Sequence, residues 1–94
     1  MSVYVDDARA FAPHLLGGRA RWSHLTADSK EELHAFAAQL GLARSWFQND
    51  NRLWHYDVVD RIRQRAILLG AIPVTTRELV AISVERIKAE RGRT

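Results

Sequence analysis

The sequence contains no cysteine. Disulfides, thiolate metal sites and thiol catalysis are therefore excluded. The absence suits a cytoplasmic protein, where disulfides find no use. No segment approaches the ~20 consecutive apolar residues of a membrane span, so no membrane association is expected. The opening M-S-V-Y-V-D-D has acids where a secretion signal has bases, so no such signal is expected. Several catalytic signatures are missing too. There is no G-x-S-x-G elbow and no H-E-x-x-H. Gly17-Gly18 lacks the Lys-Ser/Thr that makes a phosphate loop.

What is present is one domain, residues 1–94. A chain of this size can bury a modest core without staples, with stability on the order of 5–10 kcal/mol. Its charge is uneven. Residues 1–60 carry six bases against eight acids, and residues 61–94 carry eight bases against three. A basic C-terminal third can meet phosphate, nucleic acid or an acidic partner, or it can simply be a solvated helix face.

The densest stretch of polar chemistry runs from Asp28 to Asp57. Ser29 and Glu32 form a Ser-x-x-Glu capping box. Leu33, Phe36, Ala37 and Leu40 then repeat at helical spacing, and Gly41 ends the helix. His34 falls about 100° from Leu33, at the border of the apolar stripe. Arg44 to Gln48 reads as a short extended piece, and Asn49-Asp50-Asn51 as a turn.

Around this stretch the chain punctuates itself. Val3-Tyr4-Val5 is a first strand stopped by Asp6 and Asp7. Residues 8–20, with Pro13, Gly17 and Gly18, read as a loop. Arg21 to Thr26 alternates as a second strand, with Trp22, His24 and Thr26 on one face and Ser23 and Leu25 on the other. Asp57 is placed to cap a second helix, Val58 to Leu69, with Asp60 in its first turn and Gly70 after its end. Val58, Ile62, Ala66 and Leu69 form its inner stripe, flanked by Arg61, Arg63 and Arg65. Ala71 to Val74 is a third strand, at an edge because of Pro73. Thr75 and Glu78 open a third helix with Val80, Val84 and Ile87 inward, helped by Leu79 and Ile82, and the polar tail 88–94 is expected to fray. The expected fold is α/β: a small three-stranded sheet, with a mixed one among the options, and about three helices packed on it; strand three can lie parallel to strand two through a helical crossover.

Y-V-D-D, H-L-T-A-D with E-E-L-H-A, L-G-L-A-R-S-W-F-Q, H-Y-D and R-Q-R-A-I-L-L-G-A occur here in tandem. Together they resemble the domain of unknown function numbered 4031, a family of small bacterial and phage proteins, over roughly residues 3–80. The family pattern is carried by Tyr4, Asp6, Asp7 and Arg9, then His24 and Asp28, then Glu32 and His34. It continues through Arg44, Trp46 and Gln48 to His55, Tyr56, Asp57 and Arg63. The resemblance implies no particular activity, but it adds Arg9, Gln48 and Tyr56 to the candidate ligand contacts. The chain departs from the pattern in its longer 49–54 loop and at Ile62, a position more often basic.

The residue types suit a phosphate-containing ligand. His55, His34 and His24 are the candidate catalytic groups, since imidazole titrates near neutral pH. Asp6, Asp7, Asp57, Arg44 and Arg63 can orient them or grip phosphate, and Trp46 or Trp54 can stack a base. The histidines and carboxylates also permit a divalent metal, although their spacing matches no closed structural zinc site. A serine triad does not fit, because Ser23 faces away from His24 on its strand. Asp6, His24, His34 and His55 are expected to meet in one cleft at the carboxyl ends of the strands. Two functions follow: a binding module for a nucleotide or nucleic acid, and a small phosphoester hydrolase or nuclease-like enzyme, with metal assistance an option. The shortness of the chain favours the module, because a deep pocket needs room. The sequence leaves a homo-oligomer open.

Overall fold

The computed structural model describes residues 2–7, 22–49 and 53–92. Arg9, His14, Gly17-Gly18 and the tip of the Asn49-Asp50-Asn51 turn lie outside the described residues. The described chain forms β1 (Val3–Val5), β2 (Trp22–Ala27), α1 (Lys30–Gln39), a 3-10 turn (Arg44–Trp46) and β3 (Gln48–Asn49). It continues with β4 (Trp54–Val59), α2 (Asp60–Leu68), β5 (Ile72–Pro73) and α3 (Thr76–Arg91).

The strands make one mixed sheet in the order β3-β4-β2-β1-β5. Among the described residues the α/β class and the three helices are as the sequence implies, but the sheet has five strands rather than three. The two added strands, β3 and β4, come from the segment read as an extended piece, a turn and a helix cap. Trp54, Tyr56 and Val58 alternate with His55, Asp57 and Val59, which is strand spacing. The first set is buried in the main core. Asp57 therefore lies inside β4 and caps nothing. Val59 takes the cap position of α2 without a side-chain hydrogen bond.

Strand directions also differ from expectation. β5 pairs in parallel with β1, and Val74 N–H donates to the Val5 carbonyl at 2.9 Å. β2 is antiparallel to both β1 and β4. The parallel crossover through α2 therefore joins β4 to β5 and passes over two strands. Pro73 does sit on an edge, where its missing N–H breaks no ladder.

The core gathers Val3, Val5, Leu25, Leu33, Ala37, Leu40, Trp54, Tyr56, Val58 and Ala66. Full burial of a side chain such as Leu33 contributes about 1.5–3 kcal/mol. α1 presents Leu33, Ala37 and Leu40 to this core with Phe36 beside them, as its periodicity implies. Ser29 Oγ accepts from Glu32 N–H, so the N-terminal half of the capping box is made. Gly41 and Gly70 follow α1 and α2 with φ of 80° and 113°, conformations that side-chain-bearing residues resist.

α3 departs from the expected packing. Its capping box is complete: Glu78 N–H donates to Thr75 Oγ1, and Thr75 N–H donates to Glu78 Oε1. The helix continues to Arg91, past the point where fraying is expected. Leu79 is buried as expected and Ser83 is buried with it, while Val80 and Val84 are 46% and 42% exposed. The helix is rotated by one residue, about 100°, from the most apolar choice. Arg86 explains this. It donates to Thr26 Oγ1 at 2.9 Å, to the Ala27 carbonyl, and to Ser83 Oγ at 3.1 Å. Its guanidinium also stacks 3.7 Å over the Trp54 ring. A charged side chain thus belongs to the inner face.

In α2, Ala66 is buried and Ile62 and Ile67 are packed against the core, but Leu69 is 47% exposed and leaves the expected stripe. Arg44 to Trp46 is a 3-10 turn rather than an extended piece.

Candidate functional site

The site begins where β1 ends. Asp6 is wholly buried immediately after Val5. A carboxylate there needs several donors, and it has them. Oδ1 accepts the His24 backbone N–H at 2.7 Å, and Oδ2 contacts His24 Nδ1 at 2.7 Å. Thr76 Oγ1 donates to Oδ2 at 3.0 Å, which ties the first turn of α3 to the same group. Arg63 Nε on α2 donates to the Asp6 carbonyl at 2.8 Å. Burial raises the Asp6 pKa, but the hydrogen bonds from His24 and Thr76 and the charge of His24 outweigh it and hold the carboxyl below its ordinary value. An ionised carboxylate only accepts, so Nδ1 of His24 donates to it.

The neighbouring strand brings the second histidine. The β2–β4 register sets His24 opposite Asp57, on one face of the sheet. His55, two residues from Asp57, shares that face. The His24 and His55 rings meet edge to face with centroids 4.9 Å apart. His55 Nδ1 contacts the Leu53 carbonyl at 2.7 Å. A carbonyl only accepts, so Nδ1–H is the donor. In the neutral rings of both His24 and His55 the lone pair is therefore on Nε2. His55 Nε2 stands 3.3 Å from Oδ1 of Asp57.

Asp57 completes the group. Gln48, opposite His55 in the β3–β4 register, donates Nε2–H to Oδ2 of Asp57 at 2.5 Å. Burial raises the Asp57 pKa, but hydrogen bonds from His55 and Gln48 and the nearby histidine charges bring it below the ordinary value. Asp57 remains about one-third exposed, so the cluster opens to solvent at this carboxylate. One ligating atom from each of His24, His55 and Asp57 can be chosen so that all lie within 4.8 Å of one another.

Not every candidate joins this cluster. His34 hydrogen-bonds the Tyr56 hydroxyl at 2.9 Å. Tyr56 points to the opposite face from His55 and Asp57, by strand alternation. The expected convergence of three histidines is thus corrected: His24 and His55 meet, and His34 stands on the other face. There it packs edge-on against Phe47 at 4.5 Å, and Arg44 lies 5.0 Å over the same Phe47 ring. Burial and the charges of Arg44 and Lys30 lower the His34 pKa. Burial raises that of Tyr56 against the opposing pull of Arg44. His34, Tyr56 and Arg44 form a separate polar cluster under α1.

Trp46 is exposed on the 3-10 turn, and Asp7 is exposed beyond Asp6. Arg9 lies outside the described residues. Tyr4 and Asp28 pair with each other instead, the hydroxyl donating to Oδ1 at 3.0 Å. Thr76 is a site residue that the sequence does not announce. It lies 70 residues from Asp6, and its neighbour Thr75 takes the cap that the motif advertises.

No curated protein and no solved structure matches the chain. A family model described as "Protein of unknown function (DUF4031)" matches residues 3–86, which takes in every residue of the cleft. The chain therefore belongs to the family of domains of unknown function numbered 4031.

Proposed function

We propose that the protein hydrolyses a phosphoester, a nucleotide or nucleic acid, in the cleft formed by Asp6, His24, His55 and Asp57. The observation that carries this reading is the pair of imidazoles. Each is fixed through Nδ1 by an acceptor of its own, and both rings belong to one group with a half-buried carboxylate. Such preorganisation is what a reacting centre requires. Simple capture of phosphate calls for donors instead, above all Arg forks. Arg44 stacks over Phe47 on the His34 side. Arg63 spends its Nε–H on the Asp6 carbonyl. The passive binding module is thus less well supported than the enzyme.

In this reaction the oxygen of a water forms a bond to phosphorus. The bond from phosphorus to the leaving oxygen breaks, and its electron pair goes to that oxygen. The proton given up by the water is balanced by the proton the leaving group takes. The cleft must activate the water and offset charge on the phosphoryl oxygens. Asp6, Leu53 and Gln48 orient His24, His55 and Asp57, the groups able to take the water's proton, and Thr76 holds Asp6. The exposed Arg61 and Arg65 on α2 give a nucleic acid a basic approach to the site.

The test is a panel of activated phosphomonoesters and phosphodiesters, nucleotides and short oligonucleotides, with and without added divalent cations. Turnover by the wild type that Asp57→Asn reduces by two orders of magnitude or more is the expected result. No turnover across the panel, or equal turnover by the variant, removes the hydrolytic reading.

A further inference from the structure

We propose that His24, His55 and Asp57 form a binding site for one first-row divalent cation such as zinc or manganese. The two Nε2 atoms and a carboxylate oxygen of Asp57 are its ligands. The inference deepens the hydrolytic reading and rests on it for the cation's role, but not for the cation's presence.

The donor set is the first argument. Two imidazoles and one carboxylate suit zinc, manganese or iron, and three protein ligands leave a coordination position for water or a phosphoryl oxygen. One ligating atom from each of the three residues can be chosen so that all lie within 4.8 Å of one another. Bonds of about 2.0–2.2 Å put donors on one ion roughly 3–3.5 Å apart. The set reaches that spacing by a contraction of about 1–2 Å, which side-chain torsions on two paired strands can supply.

The outer contacts are the second argument, and they are independent of the first. Histidines that hold metals through one nitrogen donate the other N–H to a carboxylate or a backbone carbonyl. Both forms occur here: His24 donates to Asp6, and His55 donates to the Leu53 carbonyl. The Asp57 carboxylate is likewise held through its second oxygen by Gln48. Asp6 is itself fixed by Thr76 and Arg63. Each would-be ligand therefore has a partner that orients it.

Charge is the third argument. Among the described residues the cleft holds two carboxylates, Asp6 and Asp57. His55 Nε2 stands 3.3 Å from Oδ1 of Asp57, a contact that either a proton or a metal ion can bridge. The two carboxylates repel a phosphate brought to this face. A divalent cation between Nε2 and Asp57 offsets their charge and gives phosphate an attractive partner. It also acidifies a bound water and polarises a phosphoryl oxygen, the two tasks the reaction sets.

The experiment uses the full chain without an affinity tag, stripped with chelator and titrated calorimetrically with zinc, manganese, nickel and magnesium. The expected result is one equivalent of zinc or manganese, a matching rise in melting temperature, and weak or no magnesium binding. His55→Gln and Asp57→Asn should each reduce affinity at least 100-fold. His34→Gln should leave it unchanged. Should a variant fail to fold, nitrogen-15 spectra of the wild-type imidazoles provide the same information. Zinc should shift Nε2 of two histidines and leave His34 unaffected. No stoichiometric binding by any of the four cations overturns the site, and so does binding that spares Nε2 of His24 and His55. Stoichiometric binding with no phosphoester turnover supports the site and removes the hydrolytic reading alone. Turnover that persists in chelator, with no cation bound, overturns the site and leaves that reading standing.

Discussion

Asp6 holds His24 at two points. One carboxylate oxygen accepts the His24 backbone N–H and the other accepts the ring Nδ1–H, both at 2.7 Å. The residue that ends β1 thereby fixes both the strand position and the ring orientation of a residue on β2. Replacing Asp6 with Asn offers an amide N–H where Nδ1 had an acceptor, which favours the other tautomer of His24. The expected outcome is a 10–100-fold loss of metal affinity and of turnover. Calorimetry and initial rates on Asp6→Asn measure it. Unchanged values would assign Asp6 to the fold alone.

Arg86 is the corresponding test of the scaffold. Its removal takes three hydrogen bonds and the Trp54 stack, and it deprives the buried Ala27 carbonyl of a donor. Arg86→Ala should cost about 2–4 kcal/mol, from the stacking and unsatisfied-acceptor terms together. Arg86→Lys should recover only part of it, because a lysine cannot reproduce the fork. Denaturant melts of the two variants provide the check, and full recovery by Lys would contradict the geometry.

His34 predicts a pH dependence of stability. Its folded pKa lies below the ordinary 6.5, chiefly through burial and then through Arg44 and Lys30. The folded state thus binds fewer protons than the unfolded chain as pH falls through this range. The contribution is complete above 6.5 and is lost as pH falls from there toward the lowered folded value. In His34→Gln this loss should disappear. Asp6 and Asp57 also have depressed folded values, and their contributions are lost only in the acid range, below the ordinary carboxyl value of 3.8. Melting temperature followed from pH 8 to 3 should therefore fall in two separate steps in the wild type. Only the lower step should remain in the variant.

A nucleic-acid substrate would use α2. Arg61 and Arg65 are exposed there, whereas Arg63 is engaged at Asp6. The double change of Arg61 and Arg65 to Ala should weaken oligonucleotide binding similarly for all sequences. It should also lower the dependence of log affinity on log salt by about 1–2. Fluorescence anisotropy at several salt concentrations reads both, and an unchanged slope would take these residues out of the interface.

The parts of this fold that were legible in the sequence are those set by local chemistry. Ser29 with Glu32, Thr75 with Glu78, and the positions of Gly41 and Gly70 mark helix ends through nearby hydrogen bonds and backbone sterics. Asp57 misleads for the same reason. An Asp before two valines and another Asp has the local pattern of a cap, but pairing with β2, where it stands opposite His24, makes it a strand residue. The valines side with the sheet, being β-branched. The face of α3 was legible only in part: Leu79 turns inward as its apolarity implies, but the exposure of Val80 and Val84 goes with what Arg86 reaches 60 residues away. In the site, His24, His55, Asp57 and Asp6 were each visible as residue types. Their meeting depends on strand register, which sequence spacing does not carry. Register is likewise what removes His34, whose partner Tyr56 alternates to the opposite face.

The central claim is that the chemistry belongs to the His24–His55 face and not to the His34 face. The most direct measurement compares phosphoester turnover and melting temperature in His55→Gln and His34→Gln against the wild type. The expected result is a loss of turnover by roughly 10² or more in His55→Gln, with its melting temperature close to wild type in metal-free buffer. His34→Gln should keep near wild-type turnover. Wild-type turnover in His55→Gln, or an equal loss in His34→Gln without unfolding, would contradict it.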